Sequence, residues 1–152
     1  MQIIIVGCGN VGSTLAEQLS KEGHNITIID TKNDVVKHVS NTFDIMGVVG
    51  NGAGYSIQME AGIENADLLI AVTSSDELNL LCCLIAKKAG GCHTIARVRN
   101  PVYSREINFI KEEMGLSMVI NPEDAAAMEI ARVLKFPSAI KIDTFAKGKI
   151  EL

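Results

Sequence analysis

A β-branched run that passes directly into a glycine turn limits what the amino end of this chain can become. Ile3-Ile4-Ile5-Val6 is followed by Gly7-Cys8-Gly9-Asn10-Val11-Gly12, a G-x-G-x-x-G pattern, and Val11, Leu15 and Leu19 then mark one helix face. Strand, glycine turn and helix in that order open a βαβ unit whose helix N-terminus offers backbone N–H groups to an anion. In such a unit Gly7 allows the tight turn, Gly9 lacks the Cβ that would block phosphates, and Gly12 lets helix and strand pack closely. The pattern alone is a weak signal, but a second strand, Asn25–Ile29, follows and ends in Asp30. A carboxylate about 20 residues beyond the glycines is placed to accept hydrogen bonds from a ribose 2′-OH and to repel a 2′-phosphate. A dinucleotide or another adenine nucleotide is the expected ligand. A glycine-rich turn that binds nothing is the competing reading.

The same alternation continues along the chain. Lys32–Asn41 reads as a helix with Val35, Val36 and Val39 on one face, and Ile45–Val49 as a third strand broken by Gly50-Asn51-Gly52. Ala53–Gly62 reads as a short helix with Ile57, Ala61 and Tyr55 as apolar positions. Asp67–Thr73 reads as a strand buried on both faces. Ser75–Ala89 is a helix on the spacing of Leu78, Leu81, Cys82 and Ile85; Thr94–Val98 is a strand, Pro101–Met114 a single helix and Leu116–Ile120 a sixth strand. Six strands separated by helices predict a doubly wound α/β domain with a parallel sheet covered on both sides. Right-handed crossovers give the Rossmann-type order 3-2-1-4-5-6. A length of 152 residues suits one such domain.

Several function classes lose support here. Net charge is −4 and the longest basic run is Lys87-Lys88, so the electrostatic footprint of a nucleic-acid binder is missing. No apolar run approaches the ~20 residues that span a bilayer, and the first residues read as a core strand rather than a signal peptide. Cys8, Cys82, Cys83 and Cys92 lack metal-ligand spacing, and reduced thiols of this kind point to the cytoplasm.

The end of the chain departs from the pattern. Asn121-Pro122-Glu123-Asp124 supplies an N-cap, a first-turn proline and first-turn acids for a helix expected to run to about Phe136 and stop at Pro137. Ala126, Ala127, Met128, Ile130, Ala131, Val133 and Leu134 cover more than one stripe of it. A helix apolar around most of its circumference calls for burial on more than one side. Either a second subunit covers it or the helix is sunk into its own domain. Residues 1–136 are therefore expected to form the nucleotide domain. Residues 137–152 are expected to form a hinge and the start of a further strand or subdomain, with Ala139–Thr144 and Lys149–Leu152 alternating around Lys147-Gly148.

The later segments narrow the choice among Rossmann-type chains. Val49-Gly50-Asn51-Gly52-Ala53 is followed by Ala66-Asp67-Leu68-Leu69-Ile70-Ala71-Val72-Thr73-Ser74-Ser75-Asp76-Glu77-Leu78-Asn79. Arg97-Val98-Arg99-Asn100-Pro101-Val102-Tyr103 and Val119-Ile120-Asn121-Pro122-Glu123 complete the set. Over residues 1–136 this combination resembles the N-terminal nucleotide-binding (RCK or KTN) domain of TrkA-type potassium uptake proteins. The resemblance implies a cytoplasmic regulatory module, peripheral to the inner face of the cell membrane. Such a module forms a dimer or higher ring, is held to a potassium-translocating membrane subunit, and binds NAD(H) or, in some members, ATP or ADP. Residue by residue it assigns Gly7, Cys8, Gly9, Asn10, Val11 and Gly12 to the phosphate turn and Asp30, with Thr31, to the ribose. Thr73 and Ser74 fall at the switch point, Arg97 near the phosphates or second nucleoside, and Asn51 beside the adenine. Many family members carry a basic or bulky residue where Asn10 stands. Lys32, close to Asp30, offers some tolerance of a 2′-phosphate.

The rival class is the cofactor domain of an NAD-dependent dehydrogenase. That chemistry needs an acid or base and substrate-orienting groups over the nicotinamide. His24, His38 and His93 fall at poor positions for it, and Asp76 and Glu77 read as helix-dipole partners. A regulatory, non-enzymatic role is the expectation.

Overall fold

The computed structural model describes residues 1–135, 144–145 and 150–151. The chain falls into two compact units, Met1–Ile120 and Asn121–Leu152. The first contains a six-stranded parallel sheet in the order β3-β2-β1-β4-β5-β6, the expected doubly wound, Rossmann-like arrangement. Its strands are β1 (Gln2–Val6), β2 (Asn25–Asp30), β3 (Met46–Val49), β4 (Leu68–Ala71), β5 (His93–Arg97) and β6 (Met118–Ile120). The helices between them are α1 (Asn10–Lys21), α2 (Asn33–Phe43), α3 (Tyr55–Glu60), α4 (Asp76–Ala89), α5 (Pro101–Arg105) and α6 (Ile107–Met114), with a 3₁₀ turn at Ile63–Asn65.

Because side chains alternate across a strand, each central strand feeds two cores. Ile3 and Ile5 of β1, Ile26 and Ile28 of β2, and Ile70 and Val72 in and after β4 pack with Ala16 of α1 and Val36 and Val39 of α2. Ile4, Val6, Ile29, Leu69, Ala71 and Ala96 face the other way, toward Leu80, Cys82, Cys83 and Ala86 of α4. Each large aliphatic side chain fully buried this way contributes roughly 1.5–3 kcal/mol. The helices therefore change sides between β1 and β4. The carboxyl ends of those two strands, paired Val6 to Ala71, border the crevice where such sheets bind ligands.

Three local expectations need correction. The segment expected as one helix over Pro101–Met114 breaks at Glu106, which sits at φ −100° and ψ 13°. Tight bonds from Tyr103 N–H to Asn100 C=O and from Glu106 N–H to Tyr103 C=O wind the first turn too closely to continue as α-helix. The helix expected over Ala53–Gly62 is shorter. Gly54 is its extended N-cap, Tyr55 is exposed, and Gly62 reverses the chain at φ 84°. The buried face of α4 is Asn79, Leu80, Cys82, Cys83 and Ala86, while Leu81 is exposed. Residues 80–86 are apolar all round, so periodicity did not single out the inward face; the buried polar residue Asn79 marks it.

The second unit contains α7 (Pro122–Lys135), capped by Asn121, whose Oδ1 accepts from the Asp124 N–H at 3.3 Å. None of its described residues is buried, and Met128, Ile130, Val133 and Leu134 are exposed. Thr144–Phe145 (β7) and Ile150–Glu151 (β8) pair antiparallel. The helix stop at Phe136–Pro137, the turn at Lys147-Gly148 and the rest of the expected strand from Ala139 lie outside the described residues.

Candidate nucleotide-binding site

The glycine turn after β1 is built from backbone. Gly7 holds φ +96°, and a Cβ there would come 2.9 Å from the Thr73 amide nitrogen on the neighbouring strand end. A Cβ on Gly12 would overlap the Gly7 carbonyl. Gly9 differs: it is exposed, and a Cβ there would meet nothing within 4 Å. Two glycines thus close the turn, and the third leaves space on its outer side.

Helix α1 starts at Asn10 with Gly9 as N-cap, no capping side chain and no acid in its first turn. Ser13 is the first residue whose N–H finds a carbonyl inside the helix, that of Gly9 at 2.9 Å. The N–H groups of Asn10, Val11 and Gly12 have no intrahelical acceptor, and the helix dipole adds partial positive charge at that end. The Asn10 side chain is exposed there.

Asp30, at the end of β2, does more than the sequence suggested. Its Oδ2 accepts the Cys8 N–H at 2.8 Å and its Oδ1 accepts the Lys32 N–H at 3.0 Å. One carboxylate thereby ties the glycine turn to the end of β2, and each oxygen keeps a lone pair for a further donor. The Cys8 amide is thus committed within the protein, which leaves the α1 amides as the open donors. Thr31 is exposed beside Asp30, and the Gly50 N–H donates to the Asp30 carbonyl at 2.9 Å, drawing the β3 loop alongside. In that loop the exposed Asn51 accepts the Ala53 N–H through Oδ1 at 3.0 Å, an Asx turn.

Across the switch point the site is built from side chains. Asn79, wholly buried in α4, accepts the Thr73 N–H at 2.8 Å and the Thr73 hydroxyl at 2.7 Å through Oδ1. Through Nδ2 it donates to the carbonyls of Arg97 at 2.9 Å and Thr73 at 3.3 Å. Asp76, 7% exposed, accepts the N–H groups of Arg99 and Asn100 through Oδ2 at 2.8 and 2.7 Å. The Arg99 guanidinium donates to the Ser74 carbonyl at 2.6 Å. These bonds tie the loop after β4 to the loop after β5 around an open cavity of about 440 Å³ lined by Ser74, Ser75, Asp76, Glu77, Arg99 and Asn100. Asp76 is therefore a loop anchor as well as a first-turn acid. Ser75 is the helix cap, accepting the Leu78 N–H. The signal that could have exposed Asn79 and Asp76 was their polarity in the first turn of an otherwise apolar helix.

Electrostatics separate the titratable groups. Glu77 sits below the usual carboxylate range because its own backbone N–H, the Tyr103 hydroxyl at 2.8 Å and the Ser75 hydroxyl all donate to it. The Tyr103 phenol is raised, chiefly by that same bond. Burial, reinforced by Asp30, pushes the Cys8 thiol up to about 12, and burial lifts Cys82 to about 12, so neither is a ready thiolate. Among the described residues no group of three or more His, Cys, Asp or Glu is arranged to hold a metal ion, and no helix is long and apolar enough to cross a membrane.

Comparison with known proteins places the chain. The family model of the TrkA-N domain matches residues 3–122. The Trk system potassium uptake protein TrkA of Halomonas elongata is 38% identical over 154 residues, covering 100% of this chain and 34% of the relative. A TrkA homolog of Archaeoglobus fulgidus is 38% identical over 152 residues with the same coverage, so the chain spans about a third of the length of these relatives. Among solved structures, the TrkA-N domain of the Escherichia coli inner membrane protein ybaL superposes with a TM-score of 0.77. It is 26% identical over 88% of this chain and 96% of that one. The NAD-bound GsuK channel gives a TM-score of 0.66 at 21% identity, over 78% of this chain and 21% of that one. With the family model across most of its length and relatives that cover it from end to end, the chain belongs to the TrkA-N domain family.

Proposed function

We propose that this chain is the nucleotide-sensing part of a potassium uptake system, taking NAD(H) in the crevice at the carboxyl ends of β1, β2 and β4. One observation carries the reading: the open amide end of α1 and the Asp30 carboxylate meet at the same turn, linked by the Cys8–Asp30 bond. In this reading the amides of Gly9, Asn10, Val11 and Gly12 hold the diphosphate, while Gly7 and Cys8 set the turn. Asp30 and Thr31 meet the adenosine ribose, and Asn51 borders the adenine. Thr73, Ser74 and Arg97 line the side of the second nucleoside. ATP and ADP share the adenosine diphosphate portion and are the competing ligands for the same groups. A 2′-phosphate would sit against the Asp30 charge.

Sensing rather than turnover is supported by the histidines. His24 precedes β2 and His93 opens β5, both at the amino edge of the sheet, and His38 is exposed on α2. The relatives are likewise named as uptake-system proteins. In the proposed mechanism a potassium-translocating membrane subunit reads the state of an oligomer of this domain at the inner face of the membrane. The exposed apolar residues of α7 are the surface offered to a second copy. Each ligand shifts that state only by its difference in affinity for the two arrangements, and a coupling of about 1–3 kcal/mol gives roughly five- to 150-fold modulation.

Titration calorimetry with NAD⁺, NADH, NADPH, ATP and ADP tests the reading. NAD(H) is expected to bind wild type more tightly than NADPH, with Asp30→Asn narrowing that preference. Absence of binding by every one of them would overturn the proposal.

A further inference from the structure

Beyond the residues that touch ligand in this reading, one wholly buried polar side chain, Asn79, bonds to the ends of two strands. β4 and β5 run as a parallel pair as far as Ala71 and Ala96. Past that point they part: the Val72 N–H turns to the Val6 carbonyl of β1, and the Val98 N–H to the Ile120 carbonyl of β6. The Thr73 N–H and the carbonyls of Thr73 and Arg97, at the ends of the two strands, bond to the Asn79 side chain instead. Its carboxamide has two acceptor and two donor positions, and all four are engaged, three with Thr73 and one with the Arg97 carbonyl. The orientation of the amide is fixed chemically, because the Thr73 N–H requires the oxygen and the Arg97 carbonyl requires the nitrogen.

We propose that Asn79 is a positioning residue that sets the β4–β5 side of the crevice, and so decides whether the second nucleoside of a dinucleotide is accepted. The adenosine diphosphate portion is held elsewhere, by α1 and Asp30, neither of which bonds to Asn79. This inference rests on the proposed nucleotide reading and makes a separate demand on it. Loss of Asn79 must affect a dinucleotide and spare a mononucleotide, a split that a purely structural role does not produce.

The experiment compares NAD⁺ and ADP affinities of the full 152-residue chain by calorimetry in wild type, Asn79→Ala and Asn79→Asp. The aspartate variant keeps the acceptor for both Thr73 groups and sets an oxygen against the two carbonyls in place of the donors, and a circular dichroism spectrum like that of wild type qualifies either variant for the comparison. The expected result is NAD⁺ affinity down by about tenfold or more with ADP affinity within about twofold. Equal losses for the two ligands, or no loss for either, in a folded variant overturn the inference. Failure of wild type to bind both ligands would instead count against the nucleotide reading itself.

Discussion

The two sides of the crevice solve the same problem with different materials. On the β1–β2 side the shape comes from what is missing: Gly7 and Gly12 have no Cβ where Thr73 and the Gly7 carbonyl crowd in, and the open donors are main-chain amides. On the β4–β5 side it comes from what is added, since Asn79, Asp76 and Arg99 supply hydrogen bonds that no strand ladder provides. Backbone demands leave a mark on sequence because only glycine meets them. Side-chain braces leave little, because many polar residues in a first turn are caps or solvated.

The largest effect is expected within the glycine turn itself. Gly12→Ala should destabilise the domain by roughly 3 kcal/mol, the upper end of overpacking costs, seen as a lowered thermal midpoint. Gly9→Ala should keep stability within about 0.5 kcal/mol, since its Cβ enters open space. If Gly9→Ala also leaves NAD(H) affinity unchanged, that space is not where the diphosphate lies.

A brace-side counterpart comes next. Asp76→Ala strands the N–H groups of Arg99 and Asn100 and should cost about 2 kcal/mol in denaturant unfolding. Asp30→Ala should cost about 1 kcal/mol, because the exposed Lys32 amide can turn to water. Reversal of that order would mean that the β1–β2 side depends on its carboxylate more than the β4–β5 side does.

Reactivity offers a smaller effect. With Cys8 and Cys82 both raised to about 12, iodoacetamide at pH 8 should label neither in the folded protein and both after denaturation. The least effect is expected at the exposed rim. The depressed Glu77 pKa contributes stability above the ordinary carboxylate pKa, and that contribution disappears as pH falls through the folded value. The raised Tyr103 pKa contributes below the ordinary phenol pKa and is lost as pH rises through its folded value. The small stability gap between wild type and Glu77→Gln should therefore close in acid. Tyr103 should also titrate lower in the variant, read by ultraviolet absorbance in a Tyr55→Phe background.

Most of the fold was legible because the strands are continuous β-branched or aliphatic runs with helical spacing between them, and the sheet order followed from handedness. Asn121 was visible as a cap from local spacing, whereas Ser75 read as the first helical residue. The register of α4 was not visible, because apolar residues surround the helix and the distinguishing contact, Asn79 to Arg97, joins residues on different elements. The break at Glu106 was hidden for another reason: it depends on how tightly Asn100 and Tyr103 wind the first turn, and composition does not record that. The second task of Asp30 was hidden likewise, since its partner Cys8 donates a main-chain amide that every residue except proline carries.

That double duty of Asp30 has an evolutionary and engineering consequence. In the proposed reading, exchange of the carboxylate for a residue with no acceptor, a route toward a phosphorylated ribose, would also release the Cys8 amide of the glycine turn. A successful redesign must install a replacement acceptor for the Cys8 amide at the same time. Under that proposal, a change of sugar preference at Asp30 carries a change of turn geometry with it.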